Sequence, residues 1–481
     1  MHGLAEAEYF SSVAQWGARL KAREISAVEL AKAFCARLEA LGPRYNALAL
    51  PLTKRALRKA KDIDGDIKRD RWRSPLQGIP CGVKDLLSVA GLPTTWGAKP
   101  YAAQVFKTDA TVVSKLDSAG AVLTGKLSMV ELAGGGGYCY PAASLFGPGL
   151  NPWNLGHWSG GSSSGSGSAV AAGLVPFAIG SETWGSILTP AAFCGVTGLR
   201  PTYGFVSRNG AMALSWTMDK IGPICRSAED CGLVLQAIAG KDSGDPSSSG
   251  RSFYFAPHYA RKPELLRVGY AEVDFSGWAE PSARPAFEKA FATLKEMGVR
   301  LIGTGLPELP YGLAASAIIA AEGSAIFEPL IESGKVDELA DKNQIAGLKA
   351  GLDLSAKDYL KAMRIRTLVQ QALHKLFADV DILVSPARFG PASKIGDRLD
   401  LRPPVSPTPA DRGLSDLGAA GNLAGLPALC LPCGFSEEPG PGNALPLALQ
   451  FVGRPFSENT LLSAGMAFQE RTDWHKRTPK V

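Results

Sequence analysis

The chain has 481 residues, 46% of them hydrophobic and 20% charged, which is the balance of a globular protein with a sizeable core. Its net charge of +6 comes without a basic block, so charge gives no footing for nucleic-acid binding, and no run of 18 apolar residues marks a membrane span. Eight cysteines are too sparse for a disulfide framework, and MHGLAEAEYF lacks the basic start and apolar core of a signal peptide, so the expected compartment is the cytoplasm.

Residues 10–40 carry apolar positions at three- and four-residue spacing and predict helices, with Ser26 as an N-cap and Glu29 completing a capping box. Residues 52–72 read as a charged, surface-facing helix. Ile79 to Val83 suits a buried strand, with Lys84 at its end. A helix containing TVVSKLDSAG then leads into the strand AVLTGK, the alternation of an α/β fold. A four-glycine loop, Gly134 to Gly137, precedes Tyr138, Cys139 and Tyr140.

Beyond a central glycine- and serine-rich tract, residues 228–239 predict a helix and 241–251 a surface loop. Residues 266–303 read strand, helix, strand; helical periodicity runs from about 310 to 378; DVDILVSPA is another buried strand. Residues 388–415 are proline-rich and irregular. ALCLPCGF and LALQFVGRPF predict a closing strand pair, and Ser457 is expected to cap a final helix from Glu458 to Glu470. With no repeat and no clean linker, residues 1–481 are expected to form a single domain with a variable, substrate-shaping segment at about 242–345.

The tract from Trp158 to Arg200 is where chemistry concentrates. Gly160 to Ser168 holds no large side chain, and Ala169 to Ile179 holds no charge. Such turns let backbone N–H groups approach a ligand closely, and a linker would not run straight into a segment that must be buried. His2, His157, His258, His374 and His475 are scattered without metal-ligand spacing, so no metal is expected. Cys430 and Cys433 lie in the apolar stretch LPALCLPCG without a second pair and read as buried thiols. The tract matches neither the P-loop nor the dinucleotide fingerprint, and no nucleophile elbow has an Asp and a His downstream.

A serine nucleophile here would therefore need a base other than histidine. Lys84 follows the uncharged run Gly78 to Val83, and Ser–Lys is an established substitute for Ser–His. A lysine serves as base only when neutral, which requires burial to lower its reference pKa of about 10.4 by roughly three units. Taken by itself, Lys84 could equally snorkel to solvent or pair with Asp85.

GGSSSGSGSAVAAGLVPFAIGSETWGSILTPAAFCGVTGLRPTYG resembles the signature of the amidase signature enzymes. GIPCGVKDLLSVAG, GKLSMVELA and NLAGLPALCLPCGF…LALQFVGRPFSE extend the likeness over most of residues 10–235 and 420–475. The resemblance implies an α/β fold with a single large mixed β-sheet core covered by helices. It also implies a Ser–cis-Ser–Lys triad and no cofactor. Lys84 matches the base, Ser162 the cis-serine behind a cis Gly161–Ser162 peptide, and Ser186 the nucleophile, 24 residues further on. Backbone N–H groups of Thr183, Trp184, Gly185 and Ser186 would hold the oxyanion.

Where the family usually reads Gly-Thr-Asp-x-Gly-Gly-Ser-Ile-Arg, this chain reads Gly180-Ser181-Glu182-Thr183-Trp184-Gly185-Ser186-Ile187-Leu188. The acid is kept as Glu182, but Leu188 removes the arginine of the relatives' acid–arginine contact. Trp184 replaces a glycine and either tightens the acyl pocket or packs outward as core, the latter being preferred. Gly134, Gly135, Gly136 and Tyr138 are expected to border the substrate, favouring an apolar or aryl amide. The expectation is a stand-alone serine amidase, monomer or homodimer, acting on a small-molecule amide, ester or carbamate without nucleic-acid or membrane partners. Its rivals are the A subunit of glutamyl-tRNA amidotransferase and a carbamate or aryl-ester hydrolase with the same triad. The first is set aside because MVELAGGGGYCYP is unlike the loop of that rival and FQERTDWHKRTP looks more like stand-alone amidases.

Overall fold

The computed structural model describes residues 4–401, 411–437 and 443–481. Its strands in chain order are β1 (Leu48–Pro51), β2 (Pro80–Lys84), β3 (Val122–Leu127), β4 (Leu150–Asn151), β5 (Asn154–Trp158), β6 (Phe177–Glu182) and β7 (Thr197–Arg200). They continue with β8 (Lys220–Cys225), β9 (Arg267–Tyr270), β10 (Arg300–Gly303), β11 (Ile382–Pro386), β12 (Ala428–Phe435) and β13 (Pro446–Gly453). Eleven of them form one mixed sheet in the order β1-β3-β2-β6-β8-β7-β12-β13-β11-β9-β10, while β4 and β5 pair separately. β2 runs parallel to both β3 and β6, whereas β6, β8, β7, β12, β13 and β11 succeed one another antiparallel.

Helices cover both faces, so the inner strands β2, β3, β7, β8, β11 and β13 are buried along their whole length. Strands buried on both faces read as unbroken runs rather than as alternation. The edge strands β1 and β10 are partly exposed. On one face Val83, Phe177 and Ile179 join a core with Trp16, Phe34 and Leu461. On the other, Leu127, Ala178 and Ile224 meet the helices Ser164–Ala171, Leu188–Cys194 and Leu417–Leu423.

The composition of the serine-rich tract follows from that second face. Every residue of the helix Ser164–Ala171 is buried. A Cβ on Gly165 would stand 2.5 Å from the Ala47 carbonyl oxygen, and one on Gly167 would stand 2.9 Å from Pro190. Only very small side chains let this helix lie so close to its neighbours.

The helices expected at 10–40 are Val13–Lys21 and Ala27–Leu41, and the Ser26–Glu29 capping box is formed. The strand–helix–strand unit at 266–303 is β9, the helix Arg284–Glu296 and β10. It adds the far edge of the sheet through β11. Ser457 holds the N-cap position of the helix Glu458–Glu470 as expected, but its side chain makes no capping bond: its hydroxyl turns back to donate to the Arg454 carbonyl at 2.7 Å, where the chain leaves β13 in a tight turn. Cys430 and Cys433 are buried in β12, and all eight cysteines are free. Of the proline-rich stretch 388–415, residues 402–410 lie outside the described residues, as does His2. Among the described residues, no helix is long and apolar enough to cross a membrane.

Candidate active site

Because β2 and β6 are parallel neighbours, with Val83 opposite Ile179, their C-terminal ends come out side by side. Lys84 closes the first, and the turn carrying Ser186 follows the second. The turn after β5 brings in Ser162, whose peptide bond to Gly161 is cis. Gly160 there has a φ of +84°, and a Cβ on it would stand 2.8 Å from Pro190, so the turn is open only to glycine.

Lys84 is wholly buried, and its Nζ lies 2.8 Å from Ser162 Oγ and 2.9 Å from Ser181 Oγ. Both neighbours are hydroxyls, and no salt bridge is formed to this lysine among the described residues. Burial is the main cause that brings its pKa down to about 7, against the pull of the Asp219 and Glu182 charges in the other direction. An amine in this state is available as a proton acceptor near neutral pH. The Ser163 N–H donates to the Ser186 carbonyl at 3.2 Å, tying the cis-serine turn to the turn of the second serine.

The Thr183–Ser186 turn is held from both ends. Thr183 Oγ1 donates to Asp219 Oδ1 at 2.5 Å, and Asp219 in turn accepts from the Leu214 and Ser215 amides. Gly185 sits at φ +84°, and its carbonyl accepts from the Thr189 N–H, opening the next helix. Among the described residues, the amides of Trp184, Gly185 and Ser186 enter no backbone hydrogen bond of the neighbouring elements. Unspent N–H groups on a tight turn are the form an oxyanion site takes.

Glu182 accepts from the Ile187 and Leu188 amides at 2.9 and 3.0 Å, and so caps the helix behind Ser186. With leucine at 188, its charge is met instead by Arg200 Nη1 at 2.8 Å and by Asn422 Nδ2 at 3.0 Å. Burial alone would raise the Glu182 pKa, but the Arg200 and Lys220 cations outweigh it and hold it at about 2. The acid keeps an arginine partner supplied from β7, two strands away in the sheet.

A chamber of about 160 Å³ opens beside the two serine turns, lined among others by Gly161, Gly185, Tyr138, Arg388, Gln450 and Trp184. Its lining carries more polar than apolar groups. Of the four residues expected to border substrate, only Tyr138 lines it. Gly135 lies against Leu214 and Phe327, Gly136 against Gln344 and Leu348, and the Tyr138 ring covers Gly134. Trp184 is 40% exposed and lines the chamber, so it is not core. Ser181 was missed by the sequence reading; the signal for it is the hydroxyl retained where the family pattern has threonine. Among the described residues, no group of three or more His, Cys, Asp or Glu side chains is placed to hold a metal ion.

A family model described as Amidase matches residues 29–462. The A subunit of glutamyl-tRNA(Gln) amidotransferase from Carboxydothermus hydrogenoformans is 36% identical over 501 residues, covering 98% of this chain and 99% of that one. A solved structure described as part of a vestigial protein complex that reveals the evolutionary origins of an s-triazine catabolic enzyme superposes with a TM-score of 0.86. It is 30% identical and covers 98% of this chain and 100% of its own. The native peptide amidase of Stenotrophomonas maltophilia superposes with a TM-score of 0.82 at 29% identity, covering 98% of each chain.

The relatives overturn two expectations: the preference for a stand-alone amidase over the A subunit of the tRNA amidotransferase, and a partner set without nucleic acid. The first rested on one loop and one tail, which full-length identity to A-subunit sequences outweighs, and the second on a net charge of +6 without a basic block.

Proposed function

We propose, from the premise that this chain belongs to the amidase family and is a hydrolase of C–N amide bonds, that it serves as an A-type subunit of an amidotransferase acting on glutamyl-tRNA. In that role it releases ammonia from a small polar amide of the glutamine type. The observation that carries the chemistry is the buried Lys84, 2.8 Å from Ser162 and without a carboxylate partner. The chamber lined by Arg388, Gln450 and Tyr138 supports a short, polar acyl group.

Neutral Lys84 takes the Ser162 proton, Ser162 takes the proton of Ser186, and the Ser186 oxygen adds to the amide carbon. The turn amides from Thr183 to Ser186 receive the negative charge that develops on the carbonyl oxygen. Lys84 then returns its proton through Ser162 to the amide nitrogen, the C–N bond breaks, and ammonia leaves. An acyl ester remains on Ser186, and water, deprotonated through the same relay, hydrolyses it to the free acid. Ammonia is the product that an amidotransferase must pass to its acceptor.

The test is ammonia release from glutamine by the purified chain, measured alone and then with the remaining components of the amidotransferase and glutamylated tRNA. A rise of at least tenfold in the complete mixture is expected. Brisk turnover of simple amides by the chain alone, unchanged by partners, would overturn the amidotransferase reading.

A further inference from the structure

Two residues before the proposed nucleophile stands a tryptophan where the family pattern has glycine. Its indole lines two cavities at once: the inner chamber of about 160 Å³ and an outer groove of about 890 Å³ lined by Leu309, Tyr311, Gly312, Leu313, Arg412 and Asp416 among others. The ring spans from one to the other. Its Nε1 edge faces Gly418, an inner-chamber residue, where an added Cβ would stand 3.8 Å away. Its Cη2 tip faces Gly312, a residue of the outer groove, again at 3.8 Å from an added Cβ. Both glycines belong to the first turn of a helix, Gly312 in Tyr311–Ile326 and Gly418 in Leu417–Leu423. The ring lies between two helix starts that offer it no side chain.

We propose that the Trp184 indole is the specificity-determining partition of this site. It confines the acyl group to the inner chamber and so selects short, polar acyl groups over aryl and long-chain ones. This rests on the hydrolase reading given above. Without the indole the two spaces join, and a large acyl group gains room that the 160 Å³ chamber denies it. Gly185, at φ +84°, fixes the turn from which the ring projects, so the partition stands at a set distance from Ser186.

The experiment compares the rates at which a short-alkyl and a long-alkyl fluorophosphonate label Ser186, read by intact mass, in wild type, Trp184→Gly and Trp184→Phe. The long-to-short rate ratio should rise at least tenfold in Trp184→Gly and by less in Trp184→Phe, and it should fall in Gly312→Leu, which crowds the ring tip. Calorimetric binding of butanamide and benzamide to Ser186→Ala, with and without Trp184→Gly, gives a readout that needs no chemistry; benzamide should gain at least tenfold over butanamide. Ratios unchanged in both measurements would overturn the partition. Absence of labelling in wild type, with the binding ratio shifting as expected, would instead sink the hydrolase reading and leave the partition standing.

Discussion

Lys84 and Lys126 stand on adjacent parallel strands and are both fully buried, yet the fold treats them in opposite ways. In the β2–β3 register Val83 faces Lys126 and Lys84 faces Leu127, so the two side chains leave on opposite faces of the sheet. Lys126 Nζ meets Asp85 Oδ1 at 2.7 Å, the Pro93 carbonyl at 2.8 Å and Thr94 Oγ1 at 2.6 Å. Lys84 meets only hydroxyls. Burial lowers both lysines and raises Asp85, but Lys126 is also held towards its charged form by the Asp85 carboxylate. Burial is therefore common to both, and what sets Lys84 apart is that the groups bonded to it are hydroxyls, with no carboxylate in direct contact. Asp85, the partner that sequence proximity offers Lys84, serves the other lysine.

That contrast can be broken at four strengths. Lys84→Met should lower kcat/KM for amide hydrolysis by about 10⁴-fold, the scale on which loss of a triad member acts, while the circular dichroism spectrum stays that of wild type. Lys126→Met should act on stability instead, because it leaves Asp85 buried without its cation. A loss of about 3–5 kcal/mol is expected in urea unfolding, and Asp85→Asn added to it should recover much of that loss.

Proton linkage gives the third test. The native pKa of Lys84 is about 7 and its ordinary value is 10.5. Between those limits the unfolded chain binds more protons than the folded one, so this residue makes stability rise with pH, and below pH 7 its full cost is present. Lys84→Met should therefore raise the melting temperature most below pH 7, with the gain fading towards pH 10.5. In the wild type, kcat/KM should climb about tenfold per pH unit below pH 7 and level off above it. A profile flat through pH 7 would mean that Lys84 is not the titrating base. The smallest effect is expected of Ser181→Ala, which removes one hydroxyl from Lys84. A few-fold loss in kcat/KM corresponds to about 1 kcal/mol for one hydrogen bond, and a shifted pH profile would separate it from simple misfolding.

The pairing of Lys84 with Ser162 was legible because each lies inside a short contiguous motif. The partner of Glu182 was not legible. Arg200 is 18 residues further on, but it reaches Glu182 only because the sheet order places β8 between their strands, and strand order is not written in local spacing. Trp184 was misassigned to the core for a related reason. A large aromatic in a buried tract suggests packing, and only the approach of two glycine-bearing helix starts leaves it in the open. The choice between a stand-alone enzyme and a component of an assembly failed because it used one loop and one tail, short stretches set against an identity that runs the length of the chain.

The crowding around the helix Ser164–Ala171 has a practical side for anyone who wishes to redirect this protein. With a Cβ on Gly165 or Gly167 already in collision with the neighbouring chain segments, randomising residues 160–168 would fill a library mostly with unfolded members. Room for variation lies among the larger side chains that line the chamber, such as Trp184, Arg388 and Gln450. Diversity introduced at those three positions would be read out as new substrates.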